Sequence, residues 1–440
     1  MKRLPRIYAA ACLSFLLPGS ADAWADPAFE ACLKAPARQC VLDEARRETQ
    51  AIADASVRAI ALSTIARAQA VLGQKAAAAA TIAEALPLAR GLDDDELRGN
   101  AFKAIGGALA QSGDFAQALA LAQSIERVGT RMETLRALGQ AEAEAGAMSD
   151  AKAAFEQAVT LGRSLQNNLA RVYALNATAE SQTRAGLLDD AAATLALSLE
   201  QASGIDKPGF RDIGLSVVAI AQVHAHRVTE AKATVSLMGS ESERRGMLAR
   251  LAQEQTEAEA EAGLLVEAAQ AAEAIADPFR RQLAFIAVGK AQAKTGLVQA
   301  AGSSFGVVRL LARSARLDSE RAGDLAQLGW GESQAGLVKD AEADFAAAQE
   351  TAKAIKDDGQ RQIALLQAGI YQAKAGRFAD ALASAAGVSE EGGRSELLGT
   401  AVQAELDAGH FANALLAAQM FADQAMKVVA YGDIAAKLPN

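Results

Sequence analysis

The sequence predicts an all-α protein, a solenoid of stacked helix pairs, and three observations carry that prediction. Arginines sit fifteen residues before a glycine at Arg58/Gly73, Arg98/Gly113, Arg131/Gly146, Arg171/Gly186, Arg281/Gly296, Arg321/Gly336, Arg361/Gly376 and Arg394/Gly409. Five residues past each break stands alanine: Ala78, Ala118, Ala151, Ala191, Ala231, Ala268, Ala301, Ala341, Ala381 and Ala414. The distance from one break to the next arginine takes only two values, 18 and 25. Those values differ by seven residues, close to two helical turns, so the longer spacing keeps the same face inward. A helix-break-helix pattern repeating every 33 or 40 residues is the signature of units that bury their apolar faces against their neighbours.

The N-terminus comes first in chain order. Lys2, Arg3 and Arg6 precede a short apolar run, Ile7–Leu17, and Ala21-Asp22-Ala23 and Ala23-Trp24-Ala25 each offer a small-x-small cleavage site. This reads as a signal peptide over residues 1–25, cleaved after Ala23 or Ala25. Cys12 lies inside the apolar run, which argues against a lipoprotein. The expected location is periplasmic or secreted. No later stretch is apolar enough for a membrane span.

Residues 26–57 are expected to form a helical cap. Cys32 and Cys40 flank Pro36 there, and an even cysteine count behind a secretion signal predicts a disulfide. Val41–Ala53 has the pattern of the second helix of a unit. Residues 58–440 then form the solenoid of about ten helix pairs. One unit has His226 where the others have glycine, and another, Arg244 to Gly263, is longer by four residues, about one turn. The turns between units carry Asp93-Asp94-Asp95, Asp206-Lys207-Pro208-Gly209, Asp277-Pro278, Asp357-Asp358-Gly359 and Glu391-Gly392-Gly393. Acidic residues there suit the N-terminus of the next helix. The arginine that follows is expected to pair with them structurally. Lys427 opens an eleventh, half-length unit, the C-terminal cap.

With those residues in view, the chain resembles the tetratricopeptide repeat. The resemblance rests on Gly369, Gly376, Phe378 and Ala381 in one unit and Gly329, Gly336, Val338 and Ala341 in another, across about 58–438. A large apolar residue four past the arginine, as at Leu62, Phe102, Leu325 and Leu365, stands where the family has its first-helix anchor. The sequence departs from the family in its period and in Gln or Glu (Gln69, Glu142, Gln182, Gln292, Gln372) replacing the first-helix tyrosine. The resemblance implies a right-handed superhelix, first helices lining the concave face, and a protein or peptide partner bound there. It places candidate binding positions nine and thirteen past each arginine. In the later units these are Lys290, Trp330 and Ile370, with Lys294, Gln334 and Lys374. The competing reading of Trp330 is a packing residue.

Composition narrows the rest. Net charge −9 and pI 5.2 argue against a nucleic-acid surface. Aromatics are only 4% of the chain, a poor supply of sugar platforms. An envelope enzyme of helical-repeat type, for example carbohydrate-active, is therefore the second reading, and an architectural subunit without a groove ligand the third. His224 and His226 lie about 200° apart on a helix and cannot share a metal. No Walker pattern and no nucleophilic triad spacing occur, so neither catalytic residues nor a cofactor are expected. Alanine-rich helices bury little area each, so stability is expected to come from many stacked pairs. The expected shape is long or curved, with a radius of gyration clearly above the ~22 Å of a compact chain of this size.

Overall fold

The computed structural model describes residues 27–439, except 252–264, the single positions 242, 245 and 249, and the side chain of Glu267. The signal peptide with Cys12, and Gly263, lie outside the described residues. Among the described residues every regular element is an α-helix, arranged as the expected solenoid of helix pairs. Unit 1 pairs Ala55–Val71 with Lys75–Arg90, unit 2 Asp95–Gln111 with Phe115–Ser124, and unit 3 Val128–Glu144 with Met148–Ser164. Units 4 and 5 pair Asn168–Arg184 with Leu188–Ser203 and Pro208–His224 with Val228–Ser236. Unit 6 contributes the described parts of 241–251 and the helix Leu265–Ala274. Units 7 and 8 pair Pro278–Lys294 with Val298–Arg313 and Asp318–Gln334 with Val338–Ala354. Units 9 and 10 pair Asp358–Lys374 with Phe378–Gly387 and Glu391–Asp407 with Phe411–Gln419.

The first helix is 17 residues long in units 1–5 and 7–10. The second helix has 9 or 10 residues in units 2, 5, 9 and 10, and 16 or 17 in units 1, 3, 4, 7 and 8. The seven-residue difference in period thus lies in the second helix. All eight break glycines named above have φ between 73° and 85°, and His226 takes the same left-handed region at φ 60°. Asp54, Asp94, Asn167, Asp277, Asp357, Glu390 and Asp423 cap the following helices by accepting backbone N–H bonds. Pro208 and Pro278 occupy first-turn positions, where no N–H is missed.

The recurring arginine joins consecutive units. Arg131 Nε donates to the Ile125 carbonyl at 2.6 Å, Arg281 Nε to Ile275 at 2.6 Å, and Arg98 Nη1 to Leu92 at 2.7 Å. Each such carbonyl lies at or just past the end of the preceding second helix, where no intrahelical donor remains. The same guanidinium reaches the acid three residues back, as in Arg321–Asp318 at 2.9 Å, Arg98–Asp95 and Arg361–Asp358.

Within a unit, a small residue eight past the arginine lets the second helix approach. A Cβ at Gly289 would lie 2.8 Å from the Phe305 ring. The Gln that replaces the family tyrosine forms a buried bond between the two helices. Thr81 Oγ1 donates to Gln69 Oε1 at 2.9 Å, Thr234 to Gln222 at 2.8 Å, Ser304 to Gln292 at 2.8 Å and Ser384 to Gln372 at 2.9 Å. A tyrosine is unnecessary where a satisfied amide–hydroxyl pair fills the same crossing.

The first helices pack successively on one another, while the second helices make no comparable contacts among themselves in the described residues. First helices therefore form the inner layer. At the chain ends the structure departs from two separate caps on an open stack. Arg38–Ala51 packs along Gln424–Lys437, which also lies against Ala55–Val71 of unit 1. The two ends share one apolar cluster that includes Phe29, Val41, Leu42, Ile65, Leu398, Leu415, Tyr431 and Ile434. Arg38 Nε donates to the Leu438 carbonyl at 2.8 Å, Lys427 pairs with Glu48 at 3.8 Å, and Arg67 with Asp433 at 3.7 Å. A Cβ at Gly432 would come within 2.9 Å of Thr64 Cγ2, so this glycine permits the contact. The eleventh unit is thus split: its first helix comes from the C-terminus and its second from the N-terminus. Each half exposes an apolar face that the other covers, which is why the two chain ends join. Cys32 and Cys40 are bonded, joining the helix Pro27–Lys34 to Arg38–Ala51.

Candidate functional site

Helical periodicity puts the residues two, six, nine and thirteen past each arginine on the exposed side of the inner layer. At two past the arginine, Tyr173, Ile213 and Ile363 are 50%, 44% and 46% exposed, so solvent reaches this face. Several of its charged side chains are paired between neighbouring units. Lys103 meets Glu133 at 2.7 Å, Lys437 meets Asp407 at 2.7 Å, and His224 Nδ1 lies 3.3 Å from Glu180. Arg67 and Asp433 add another such pair at the junction of the ends.

Units 7 to 9 differ. Lys290 Nζ lies 4.7 Å from the centre of the Trp330 ring and Lys374 Nζ 5.8 Å from it. Lys374 also stands 5.2 Å from the centre of the Tyr371 ring, and the two aromatic rings are 6.0 Å apart and tilted by 34°. Both lysines interact with the negative faces of these rings, and neither has a carboxylate partner among the described residues. Lys294 and Gln334 are exposed one turn further along their helices. The structure therefore brings Lys290, Trp330 and Lys374 together across three successive units.

Ile370 is not part of that cluster. It packs against an apolar cluster that begins in unit 9 itself and runs through unit 10 to the chain ends. Tyr371 takes its place beside Trp330. The row counting nine past the arginine misses Tyr371, which is ten past; the signal for it was its position one turn before Lys374 on the same face.

The glycines flanking Trp330 serve packing. A Cβ at Gly331 would lie 2.8 Å from Ile286 Cγ2 on unit 7, and one at Gly329 would lie 3.1 Å from the Phe345 ring. Close approach on both sides leaves the indole half-buried over Ala312, Leu325, Phe345 and Ala368. A polar layer joins the first helices of units 7 and 8. Gln282 Nε2 donates to Asp324 Oδ1 at 3.1 Å and to Gln327 Oε1 at 3.0 Å. Burial pushes the Asp324 carboxyl up, and burial followed by the Asp324 charge pushes the Tyr371 hydroxyl up, so the phenol stays neutral. Behind the site Arg309 Nη2 meets both Glu332 Oε1 and Asp344 Oδ2 at 2.7 Å. Burial, then the neighbouring Asp344, raises the Glu332 carboxyl against the pull of that guanidinium.

No family model matches the chain, and no curated relative does. Solved structures do. A protein described as Ton1535 from Thermococcus onnurineus NA1 matches 72% of this chain and 94% of its own, at 13% identity and TM-score 0.33. The APC/C hetero-tetramer Cut9-Hcn1 matches over 92% of this chain and 94% of its own, at 11% identity and TM-score 0.25. These are distant likenesses of helical architecture. Among the described residues no helix is long and apolar enough to cross a membrane.

Proposed function

We propose that this protein is an exported, non-enzymatic scaffold of bacterial type that holds a protein or peptide partner on the concave face of its helix-pair solenoid. Export rests on the signal-like residues 1–25 and implies a periplasmic or secreted protein, cleaved after Ala23 or Ala25. The observation that carries the binding reading is the cluster of Lys290 and Lys374 over Trp330 and Tyr371. Lys294 extends it. Three cations with no carboxylate partner among the described residues, in a chain of net charge −9, favour a partner that brings carboxylates. The half-buried indole favours an apolar anchor between them. Aromatic anchors supply much of the energy at such contacts, and truncation costs ~2 kcal/mol or more. The lysines steer association and make it salt-dependent.

The test is affinity capture of partner from envelope extract by mature wild type and by Trp330→Ala, at low and high salt. Capture should fall at least tenfold with the substitution and weaken with salt, while the helical circular-dichroism signal is unchanged. Equal capture by both proteins, or a variant that binds normally but melts far lower, would make Trp330 a packing residue.

A further inference from the structure

In units 1, 5, 7 and 9 the crossing of first and second helices is closed by a neutral pair, a Gln whose amide oxygen accepts from a Ser or Thr twelve residues on. Unit 8 keeps the spacing and changes the chemistry. Its two positions hold Glu332 and Asp344, which are 1% and 6% exposed. A third group comes from the neighbouring unit. Arg309, on the second helix of unit 7, reaches both acids. Its Nη2 donates to Glu332 Oε1 and to Asp344 Oδ2, each at 2.7 Å, and its Nε donates to Asp344 Oδ1 at 3.3 Å. One cation thus bridges two buried carboxyls and ties unit 7 to unit 8.

Charge and hydrogen bonding agree on how this cluster is protonated. With both acids ionised it would carry a net negative charge away from water, which is costly. With one proton on an acid it is neutral. Glu332 Oε2 is buried and has no hydrogen-bond partner among the described residues, while its carboxyl lies within hydrogen-bonding reach of Asp344. A proton on Oε2 turns that orphan acceptor into a donor to Asp344, and two carboxyls so placed share one proton. Burial, followed by Asp344, raises Glu332 accordingly, and Arg309 pulls the other way.

Four helices make the main contacts of the helix Asp318–Gln334 that carries Glu332. Its own second helix brings Asp344 and, with the smallest effect, Asp340, and unit 7's second helix brings Arg309. The first helices of units 7 and 9 bring Lys290, Lys374 and Tyr371 to the Trp330 ring, about 200° round the helix from Glu332. Just past unit 9's first helix, Arg377 lies over the Phe345 ring and is paired with Asp380 at 2.6 Å.

We propose that Arg309, Glu332 and Asp344 form a proton-operated clamp between units 7 and 8, closed while Glu332 is the acid and loosened when it ionises. A carboxyl raised on folding keeps its proton at pH values where the unfolded chain has lost it. The clamp is therefore whole in mild acid and weakens as pH climbs past the raised value. Trp330 is placed to report this. It precedes Glu332 by two residues, and Gly331 between them packs on Ile286 of unit 7, a contact that the clamp presses together. The clamp stands whether or not a partner binds at Trp330.

In mature protein beginning at residue 26, Trp330 is the sole tryptophan, so its fluorescence reads the joint. Emission and acrylamide quenching are followed between pH 5 and pH 9.5, with far-ultraviolet circular dichroism at each step. Emission should move to the red and quenching should rise together, in one transition centred well above the ordinary carboxylate range, while the helical signal stays constant. Asp344→Ser, which removes the neighbouring acid, should lower the midpoint by about one pH unit or more, and Glu332→Gln should abolish the transition. Glu332→Gln combined with Asp344→Ser rebuilds the pair of units 7 and 9 and should also be flat, which keeps the test open where the single Gln variant does not fold. A wild type without a transition, a midpoint unmoved in Asp344→Ser, or a Gln variant that keeps the transition overturns the clamp. So does emission that titrates with quenching unchanged, since the proton would then be held without holding the units together.

Discussion

Glu142 occupies the position where five other units place glutamine, and it is only 4% exposed. In four of those units the amide is bonded to a Ser or Thr twelve residues on. In unit 3 that partner position is Ala154, and Glu142 Oε2 finds no hydrogen bond. Burial, then the charge of Asp150, pushes its carboxyl from 4.5 up to about 7. A carboxyl raised on folding costs nothing below its unfolded pKa, because both states are then protonated. The cost grows as pH rises from about 4.5 to about 7 and is fully present above that. Taken at face value it is ~0.8 kcal/mol at pH 5 and ~3 kcal/mol at pH 8. Glu142→Gln removes the charge and keeps the shape, so it should stabilise at pH 8 by about 2–3 kcal/mol and hardly at pH 5. At ~2.1 cal/mol/K per residue of unfolding entropy, that is a rise of about 3 °C in Tm at pH 8 and under about 1 °C at pH 5. Paired thermal melts of both proteins at the two pH values read it directly. An equal shift at both values, or a lower Tm at pH 8, would refute the assignment of Glu142 as a buried, pH-dependent liability.

Other expectations are simpler. His226 holds φ 60° where neighbouring units use glycine, so His226→Gly should raise stability by about 0.5–1 kcal/mol, and Gly376→Ala should lower it; a loss on His226→Gly, by denaturant titration, would refute this. Unfolded, non-reduced mature protein should show no free thiol, since Cys32 and Cys40 are bonded. Reduction should cost about 2–3 kcal/mol for so short a loop, read as a lower denaturation midpoint. With its chain ends joined, the two-layered stack should give a radius of gyration of ~25 Å in small-angle scattering. A value above ~30 Å would indicate an opened stack.

The local parts of this architecture were legible in the sequence because they are set by residues close together. A break glycine takes the left-handed region wherever a chain must turn between two helices. An arginine six residues past a helix end can reach its free carbonyl. The length of the second helix followed from counting. The Gln at the tyrosine position was visible only as a departure from the family, since its meaning depends on a Ser or Thr partner twelve residues away. The closure was harder still. Residues 38–51 and 424–437 are nearly 400 positions apart, and no periodicity links them. One trace did exist: a second helix without a first at the N-terminus and a first without a second at the C-terminus. Positions transferred from the family named Trp330, Lys290 and Lys374, which lie together in the structure. Ile370 stands in the same row but packs against an apolar cluster that runs on through unit 10 to the chain ends.

The split unit also fixes an order of events during synthesis. The helix Arg38–Ala51 is made early, yet its partner Gln424–Lys437 follows it by nearly 400 residues. At about 5–20 residues per second, the interval is roughly 20–80 s. Throughout it, Val41, Leu42 and Ala45 lack the surface that buries them in the finished protein. A chain cut short anywhere before Gln424 never acquires that surface, so incomplete products remain marked by an uncovered apolar helix at their N-terminal end.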